Sequence, residues 1–266
     1  KILDRQVQHI EEMVQKNPQN PDARLNAANF YLETGMLDQA IEQAQQALKI
    51  KDNYAGAYLV MGRAYAKKGD TENALKNYDR VLDLNKDNPM AGLDRNVEAV
   101  YYEVGQIYYG QGKYAEATDA LQKALKIDGT DADALYSLGV VYQKQNDNAN
   151  AVKQFEEALR FDPMFGSAYE GLAVSYSAIG NAPEAAYAAA MVLYSKGKYS
   201  EAASQLEGVV QKNPDLMRAY FGLGLAYDKV GKPEQAVEAL KKYVQANPDD
   251  IAGNNALARV SKEIAK

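Results

Sequence analysis

The feature that most constrains this chain of 266 residues is a spacing of about 34 residues that recurs along most of its length. An alanine in motifs such as LDQA, TENA, YAEA and PEQA marks it, and four of the six steps between these alanines are equal, one is longer by nine and one is half as long. A small residue upstream of this alanine, and a tyrosine three residues after that small residue in six of seven units, follow the same steps. Three markers that share one irregular series indicate a structural unit repeated in tandem. The alanines are Ala40, Ala74, Ala117, Ala151, Ala185, Ala202 and Ala236.

Each unit contains two amphipathic stretches that are separated by a turn. In one unit, Leu135, Leu138 and Tyr142 form the first apolar stripe, and Phe155 and Ala158 belong to the second. Steps of three and four residues place such side chains on one face of a helix. A glycine or asparagine between the stripes accepts the left-handed backbone that ends many helices. Each unit is therefore predicted to be a hairpin of two helices, called helix A and helix B here.

The order of these markers resembles the tetratricopeptide repeat family. The matching positions are glycine or alanine at the eighth residue of the unit, tyrosine at the eleventh, alanine at the twentieth and proline at the thirty-second. The resemblance implies an all-α fold, a right-handed superhelix of about seven repeats whose A helices line a concave groove. Repeats are expected at about residues 21–54, 55–88, 98–131 and 132–165, with a fifth starting at 166, and at about 183–216 and 217–250.

Two irregularities interrupt the period. Nine extra residues around Pro89–Val97 precede the third helix A, and we expect them to lengthen that helix, up to Gly110, or to form a surface loop. A half-step makes residues 183–196 serve both as helix B of the fifth repeat and as helix A of the sixth. We predict that the stack changes direction near Gly180–Pro183, which divides the chain into blocks 1–182 and 183–266. A neutral deletion of one helix would leave the same sequence.

The two ends of the repeat array carry single helices. Residues 251–266 have apolar residues on one face and polar residues elsewhere, which predicts a capping helix. Residues 4–16 look like a lone helix B, which is either a cap or the second half of a repeat whose helix A lies upstream of Lys1.

The side chains that catalysis or metal binding needs are scarce. The chain has no cysteine and one histidine, His9, so neither a Cys–His pair nor a site with two histidines can form. The stretch Ile127–Ala134 lacks the spacing and the distal glutamate of a calcium loop, and the GKY motifs lack the upstream glycine of a phosphate loop. We therefore predict a non-enzymatic protein without cofactor or metal.

Charge and hydropathy narrow the possible partners. The net charge is -6 and no basic stripe is visible, so a nucleic acid partner is not expected. The longest apolar run, Ala185–Tyr194, is too short to cross a bilayer, so this segment is not expected to insert into a membrane. A cytoplasmic location is favoured, with an extracytoplasmic domain of an anchored protein as the alternative, because a leader or anchor could precede Lys1.

The resemblance also indicates which residues face the groove. Positions 2, 5, 6, 9, 12 and 13 of helix A tend to do so in the family, and here they carry several aromatic and apolar side chains. The family's clamp for chaperone C-termini is matched at Asn29 alone, so that ligand is not expected. Packing against neighbouring A helices is an equally open interpretation for each candidate. The predicted groove residues are Tyr102, Gln106, Tyr109, Tyr136, Tyr187, Met191, Tyr194 and Phe221.

These observations predict a scaffold for protein–protein interaction that binds a partner peptide or helix in the groove. One alternative is a scaffold that assembles into homo-oligomers. Another is the repeat arm of a membrane-anchored envelope or secretion complex. The sequence identifies neither the partner nor the cellular process.

Overall fold

The computed structural model describes residues 1–266, which form fifteen α-helices and no strand. The all-α prediction is therefore confirmed. The helices are α1 (Ile2–Lys16), α2 (Pro21–Glu33), α3 (Leu37–Ile50), α4 (Ala55–Lys67), α5 (Thr71–Asn85), α6 (Arg95–Gly110), α7 (Tyr114–Ile127), α8 (Ala132–Lys144), α9 (Asn148–Phe161), α10 (Gly166–Ala178), α11 (Ala182–Ser195), α12 (Tyr199–Lys212), α13 (Met217–Lys229), α14 (Pro233–Ala246) and α15 (Ile251–Ile264).

Contacts between Cα atoms divide the chain into two units, Lys1–Gly129 and Thr130–Lys266. The change of direction that the sequence predicts near Gly180–Pro183 concerns the course of the stack inside the second unit. It is a different property from this division and stays a prediction.

In the first unit, consecutive helices pack side by side as hairpins, and each hairpin packs against the next one. The pairs are α2 with α3, α4 with α5, and α6 with α7, while α3 also packs on α4. Ala28, Ala40 and Ala57 are fully buried at these contacts, and α1 contributes Val14 to the same core. Apolar surface is thus buried between neighbours in the chain, as repeat proteins require.

The turns inside the hairpins have the predicted left-handed residues. Gly112 has φ 72° between α6 and α7, and Asn146 has φ 58° between α8 and α9. A residue without a Cβ, or an asparagine, adopts this backbone at low cost, which explains why the turn positions hold only these two types.

The small residue at the eighth position of helix A lies where the two helices of a hairpin come closest. A Cβ added to Gly62 would lie 2.8 Å from the ring of Tyr78, which belongs to helix B of the same hairpin. A Cβ on Gly139 would likewise lie 2.6 Å from the ring of Phe155. Glycine is needed at these positions because an aromatic ring occupies the space of its missing side chain.

The nine-residue insertion forms a loop and also lengthens a helix. After α5 ends at Asn85, the chain makes a short 3-10 helix, Ala91–Leu93, before α6 begins at Arg95. Asp94 caps α6, since its carboxylate accepts a hydrogen bond from the backbone N–H of Asn96 at 2.8 Å. Helix α6 has 16 residues, against 13 in α4, and ends at Gly110 as predicted.

In the second unit, α11 has neighbours on three sides. It packs against both α10 and α12, and it also reaches α13. Ala188 and Ala190 are fully buried in these contacts, so small residues allow the close approach that the half-step demands. At the end of the chain, α15 packs on α14 through Ala256 and Val260 and leaves Ile251 exposed.

Candidate functional site

A cleft of about 480 Å³ opens on the face of the first unit that α2, α4 and α6 share. These are three successive A helices, and each contributes the residue at the ninth position of its repeat, namely Asn29, Arg63 and Gln106. Tandem repetition of the hairpin brings equivalent positions into line, with the insertion absorbed before α6. Glu33, Lys67 and Glu103 complete the polar lining, so this cleft carries more charge than the sequence led us to expect.

One ion pair fixes the wall of this cleft. Arg63 Nε donates to the two carboxylate oxygens of Glu103 at 3.0 and 3.3 Å, which ties α4 to α6. Burial raises the pKa of the Glu103 carboxyl, and the Arg63 guanidinium opposes that rise. Asn29, Glu33 and Lys67 are exposed beside the pair. Amide and charged groups along an open cleft offer donors and acceptors to the backbone of a bound peptide.

Three of the predicted groove residues lie in the first unit, all of them on α6. Gln106 lines the cleft. Tyr102 and Tyr109 are half-buried and lie outside its lining, and the ring of Tyr109 is 6.0 Å from that of Tyr114 on α7. The cleft and the sequence-predicted set therefore share one residue in this unit.

Two predicted residues of the second unit are half-buried and in contact with other aromatic rings. The ring centroid of Tyr136 lies 5.7 Å from that of Phe155 and 5.0 Å from that of Phe165. Phe221 stacks on Tyr243 with centroids 4.9 Å apart. Both side chains thus have packing partners inside the protein while part of each ring stays accessible.

The other three predicted residues, all on α11, are buried. The exposed fraction is 6% for Tyr187, 4% for Met191 and 6% for Tyr194. A Cβ on Gly222 of α13 would lie 2.9 Å from the sulfur of Met191, and Tyr194 forms an edge contact with Tyr199 at 5.1 Å. The structure therefore places these side chains between helices: Tyr187 meets Tyr169 of α10, Met191 meets Gly222 of α13, and Tyr194 meets Tyr199 of α12.

A half-buried charge cluster, which the sequence analysis did not find, joins four helices of the second unit. Arg218 of α13 donates to both carboxylate oxygens of Glu156 on α9 at 2.8 and 3.0 Å, and its Nε donates to Glu184 on α11 at 2.6 Å. Tyr176 of α10 accepts from Arg218 at 3.2 Å and donates to Glu156 at 2.6 Å. The guanidinium also lies over the ring of Tyr187, 4.6 Å from its centroid.

The electrostatics of this cluster keep the arginine charged. Burial alone would lower the pKa of the Arg218 guanidinium, but Glu156 and its other neighbours raise it above the ordinary value. Burial and the hydrogen bond to Glu156 raise the pKa of Tyr176 to about 12, so its hydroxyl stays protonated. A cation whose charge and donors are satisfied by neighbouring helices holds them in register, and we interpret the cluster as structural.

The structure contains neither a group of side chains suited to bind a metal ion nor a helix suited to span a membrane. No group of three or more His, Cys, Asp or Glu side chains is arranged to hold a metal ion, and His9 is exposed on α1. None of the fifteen helices combines the length and the apolar character that crossing a lipid bilayer requires.

Comparison with known sequences supports the repeat assignment along most of the chain. Sequence models described as "Tetratricopeptide repeat" match residues 7–64, 55–88, 132–165 and 187–251. A further one, described as "TPR repeat", matches residues 105–146. In Saccharomyces cerevisiae, the Small glutamine-rich tetratricopeptide repeat-containing protein 2 is 30% identical over 95 residues, which cover 36% of this chain. The match spans only 28% of that relative's length.

Solved structures share the fold at low sequence identity. The C-terminal part of a TPR repeat-containing protein from Cytophaga hutchinsonii superimposes with a TM-score of 0.60 at 17% identity, covering 94% of this chain and 93% of that one. The crystal structure of MamA gives a TM-score of 0.59 at 23% identity, covering 68% of this chain and 94% of that chain. These likenesses establish the fold alone.

Proposed function

Because this chain belongs to the tetratricopeptide repeat family, whose fold generally mediates protein–protein interaction, we propose that it is a non-catalytic scaffold that binds a partner peptide or helix in its groove. The cleft on α2, α4 and α6 carries the proposal. Its polar lining includes equivalent positions of three repeats, so it presents side chains at regular intervals. An extended or helical segment, which has a regular spacing of its own, fits such a surface.

The polar lining indicates how such a segment would be held. Asn29 and Gln106 present amides on the first and third of the three helices, while Arg63 and Glu103 form a fixed pair between them. Amides can donate to and accept from a peptide backbone regardless of its sequence, and Glu33 and Lys67 at the edge select for charge. We propose that α6 contributes Tyr102 and Tyr109 beside the cleft, and that Tyr136 and Phe221 serve the second unit in the same role.

Removing the two cleft amides tests this proposal. A peptide is first selected against the whole chain by phage display, and its affinity is then measured by calorimetry. The double variant Asn29→Ala and Gln106→Ala is expected to bind it about 5- to 150-fold more weakly, since each lost hydrogen bond contributes about 0.5–1.5 kcal/mol. Gln45→Ala, which removes an exposed amide from helix B of the first repeat, is the matched control and should bind as the wild type does.

The same assay tests the aromatic candidates. Tyr102→Ala and Tyr136→Ala should each weaken the selected peptide if aromatic anchors contribute to binding. Unchanged affinity in all of these variants, with helicity intact by circular dichroism, would show that the peptide binds elsewhere and would count against the groove.

A self-assembling scaffold is the second candidate, and exposed apolar side chains favour it. Ile2 on α1 is 76% exposed and Ile251 on α15 is 75% exposed, in each case at the start of a terminal helix. Exposed apolar residues of this kind suit a contact with a second copy. Sedimentation velocity separates the candidates, because a species that stays monomeric at high concentration excludes self-assembly. An oligomer dispersed by Ile2→Glu or Ile251→Glu would support it.

A further inference from the structure

The nine-residue insertion creates a second cavity, which we call the insertion pocket. It has a volume of about 330 Å³ and lies where the loop before α6 covers the ends of α5 and α7. Leu82, Val97 and Ile127 form its apolar floor, and the ring of Tyr101 forms one wall. This volume is at the low end of the range for ligand sites. It suits one apolar side chain of a peptide together with the residues next to it in that peptide.

The loop adds apolar surface at the rim of the pocket. Met90 is 59% exposed and Leu93 is 72% exposed, and they flank the lining residues Ala91 and Gly92 in sequence. A single exposed apolar side chain is ordinary on a protein surface. Two of them beside an apolar cavity form a patch that a partner could cover.

The charged groups that line the insertion pocket are all positive. Lys86, Lys123 and Lys126 contribute to the lining and no acidic residue does, although the chain as a whole has 36 acidic and 30 basic residues. Lys86 and Lys123 form exposed ion pairs, at 3.1 Å with Asp83 and at 2.9 Å with Asp119. Exposed pairs contribute little to stability, so a ligand carboxylate can compete for these lysines.

The insertion pocket adjoins a further cavity whose own lining contains acidic residues. This further cavity has a volume of about 450 Å³ and shares Leu82, Tyr101 and Lys123 with the insertion pocket. Its other lining residues include Asp79, Glu116 and Asp119, of which Asp119 is the ion-pair partner of Lys123. A ligand that fills both parts must be longer than one side chain and must change its charge along its length, which a peptide does and a lipid tail does not.

We propose that the insertion pocket and the adjoining cavity bind a peptide segment of a partner protein, separately from the cleft on the A helices. An aliphatic or aromatic side chain of the segment enters the pocket between Leu82, Val97 and Ile127. Acidic residues around this anchor lie against the three lysines, and a basic residue further along meets Asp79 and Glu116. Apolar burial supplies affinity, and the charge order fixes the direction of the segment.

Fluorescence anisotropy with a designed pair of peptides tests this proposal on the whole chain. The probe is a labelled twelve-residue peptide in which one leucine stands among four glutamates, with two lysines at its far end. The control peptide has every glutamate replaced by lysine and every lysine by glutamate. The probe is expected to bind at least about tenfold more tightly than the control, with an affinity that falls as salt is added.

Two variants of the pocket and one control variant locate the binding. Lys123→Glu combined with Lys126→Glu should weaken the probe about tenfold or more. Lys49→Glu should change it less than about twofold, because Lys49 occupies in α3 the repeat position that Lys126 occupies in α7, without an insertion beside it. Gly92→Phe should also weaken the probe, since a Cβ at Gly92 meets open space and the ring can fill the pocket without changing any charge.

Three outcomes would overturn the proposal. These are equal affinity for the two peptides, an unchanged affinity in both pocket variants, and binding of dodecanoate at the pocket without binding of the probe. Circular dichroism confirms that each variant is folded. The amide variants of the A-helix cleft leave this pocket intact, so failure here and failure of the groove proposal are distinguishable.

Discussion

Replacing Phe155 with alanine is expected to lower the free energy of unfolding by about 3–5 kcal/mol, the largest effect of any single truncation considered for this chain. The side chain is fully buried, and two glycines enclose its ring. A Cβ on Gly139 would lie 2.6 Å from the ring, and one on Gly171 would lie 2.5 Å from it. Because Gly139 and Gly171 have no side chains that could move into the space left by the alanine substitution, a cavity would remain.

Urea denaturation followed by circular dichroism measures this loss. Phe161→Ala is the control, since Phe161 lies on the same helix and is exposed, and its change should stay within about 0.5 kcal/mol. Gly139→Ala should destabilise the wild type by overpacking but partly rescue Phe155→Ala by filling its cavity. A loss below about 1 kcal/mol for Phe155→Ala would mean that this hairpin contact is not the tight one that the structure shows.

Replacing Arg218 with alanine is expected to cost about 3 kcal/mol, since it leaves two half-buried carboxylates without their cation. Glu156 and Glu184 would then face each other from α9 and α11, with Tyr176 as the remaining neutral donor. Arg218 is 28% exposed, so the expected loss lies at the lower end of the range for buried pairs. The same denaturation experiment measures it.

The matched control for Arg218 is an arginine whose only carboxylate partner is exposed. Arg160 pairs with Glu157 one turn away on α9, and Arg160→Ala should change stability by less than about 0.5 kcal/mol. If Arg218→Ala were no more destabilising than Arg160→Ala, the cluster would be an incidental contact. It would then not explain how α13 is held against α11 and α9.

The sequence predicted the hairpins well because a tandem repeat gives each position the same neighbours in every unit. Gly62 and Gly139 share one repeat position, and each meets an aromatic ring from its own helix B. The left-handed turns at Gly112 and Asn146 follow from residue type alone. Local contacts of this kind depend on a few adjacent residues, which a periodic pattern can specify.

The same periodic rule did not describe α11. Positions that line a groove in a regular repeat are buried at Tyr187, Met191 and Tyr194, where α11 packs against α10, α12 and α13. The period cannot show this burial, since it reports equivalence between units and not the distance between helices. The loop formed by the insertion has no counterpart in the other repeats, so its pocket was equally inaccessible to sequence reasoning.

The charge cluster was partly detectable. Glu184 and Arg218 are oppositely charged and lie one repeat period apart in the sequence, which is the signal of a contact between equivalent positions of adjacent repeats. Glu156 is separated from Arg218 by 62 residues, a distance that corresponds to no repeat relation. A contact over this separation therefore could not be predicted from the 34-residue period.

Hydrogen–deuterium exchange of the whole chain, with and without the display-selected peptide, tests the central claim most directly. Exchange of backbone amides reports which helices a ligand stabilises. In the first unit, we predict slower exchange in the A helices Pro21–Glu33, Ala55–Lys67 and Arg95–Gly110, with little change in the B helices Leu37–Ile50 and Thr71–Asn85. Protection confined to those B helices, or spread equally over both sets, would contradict a partner-binding groove formed by the A helices.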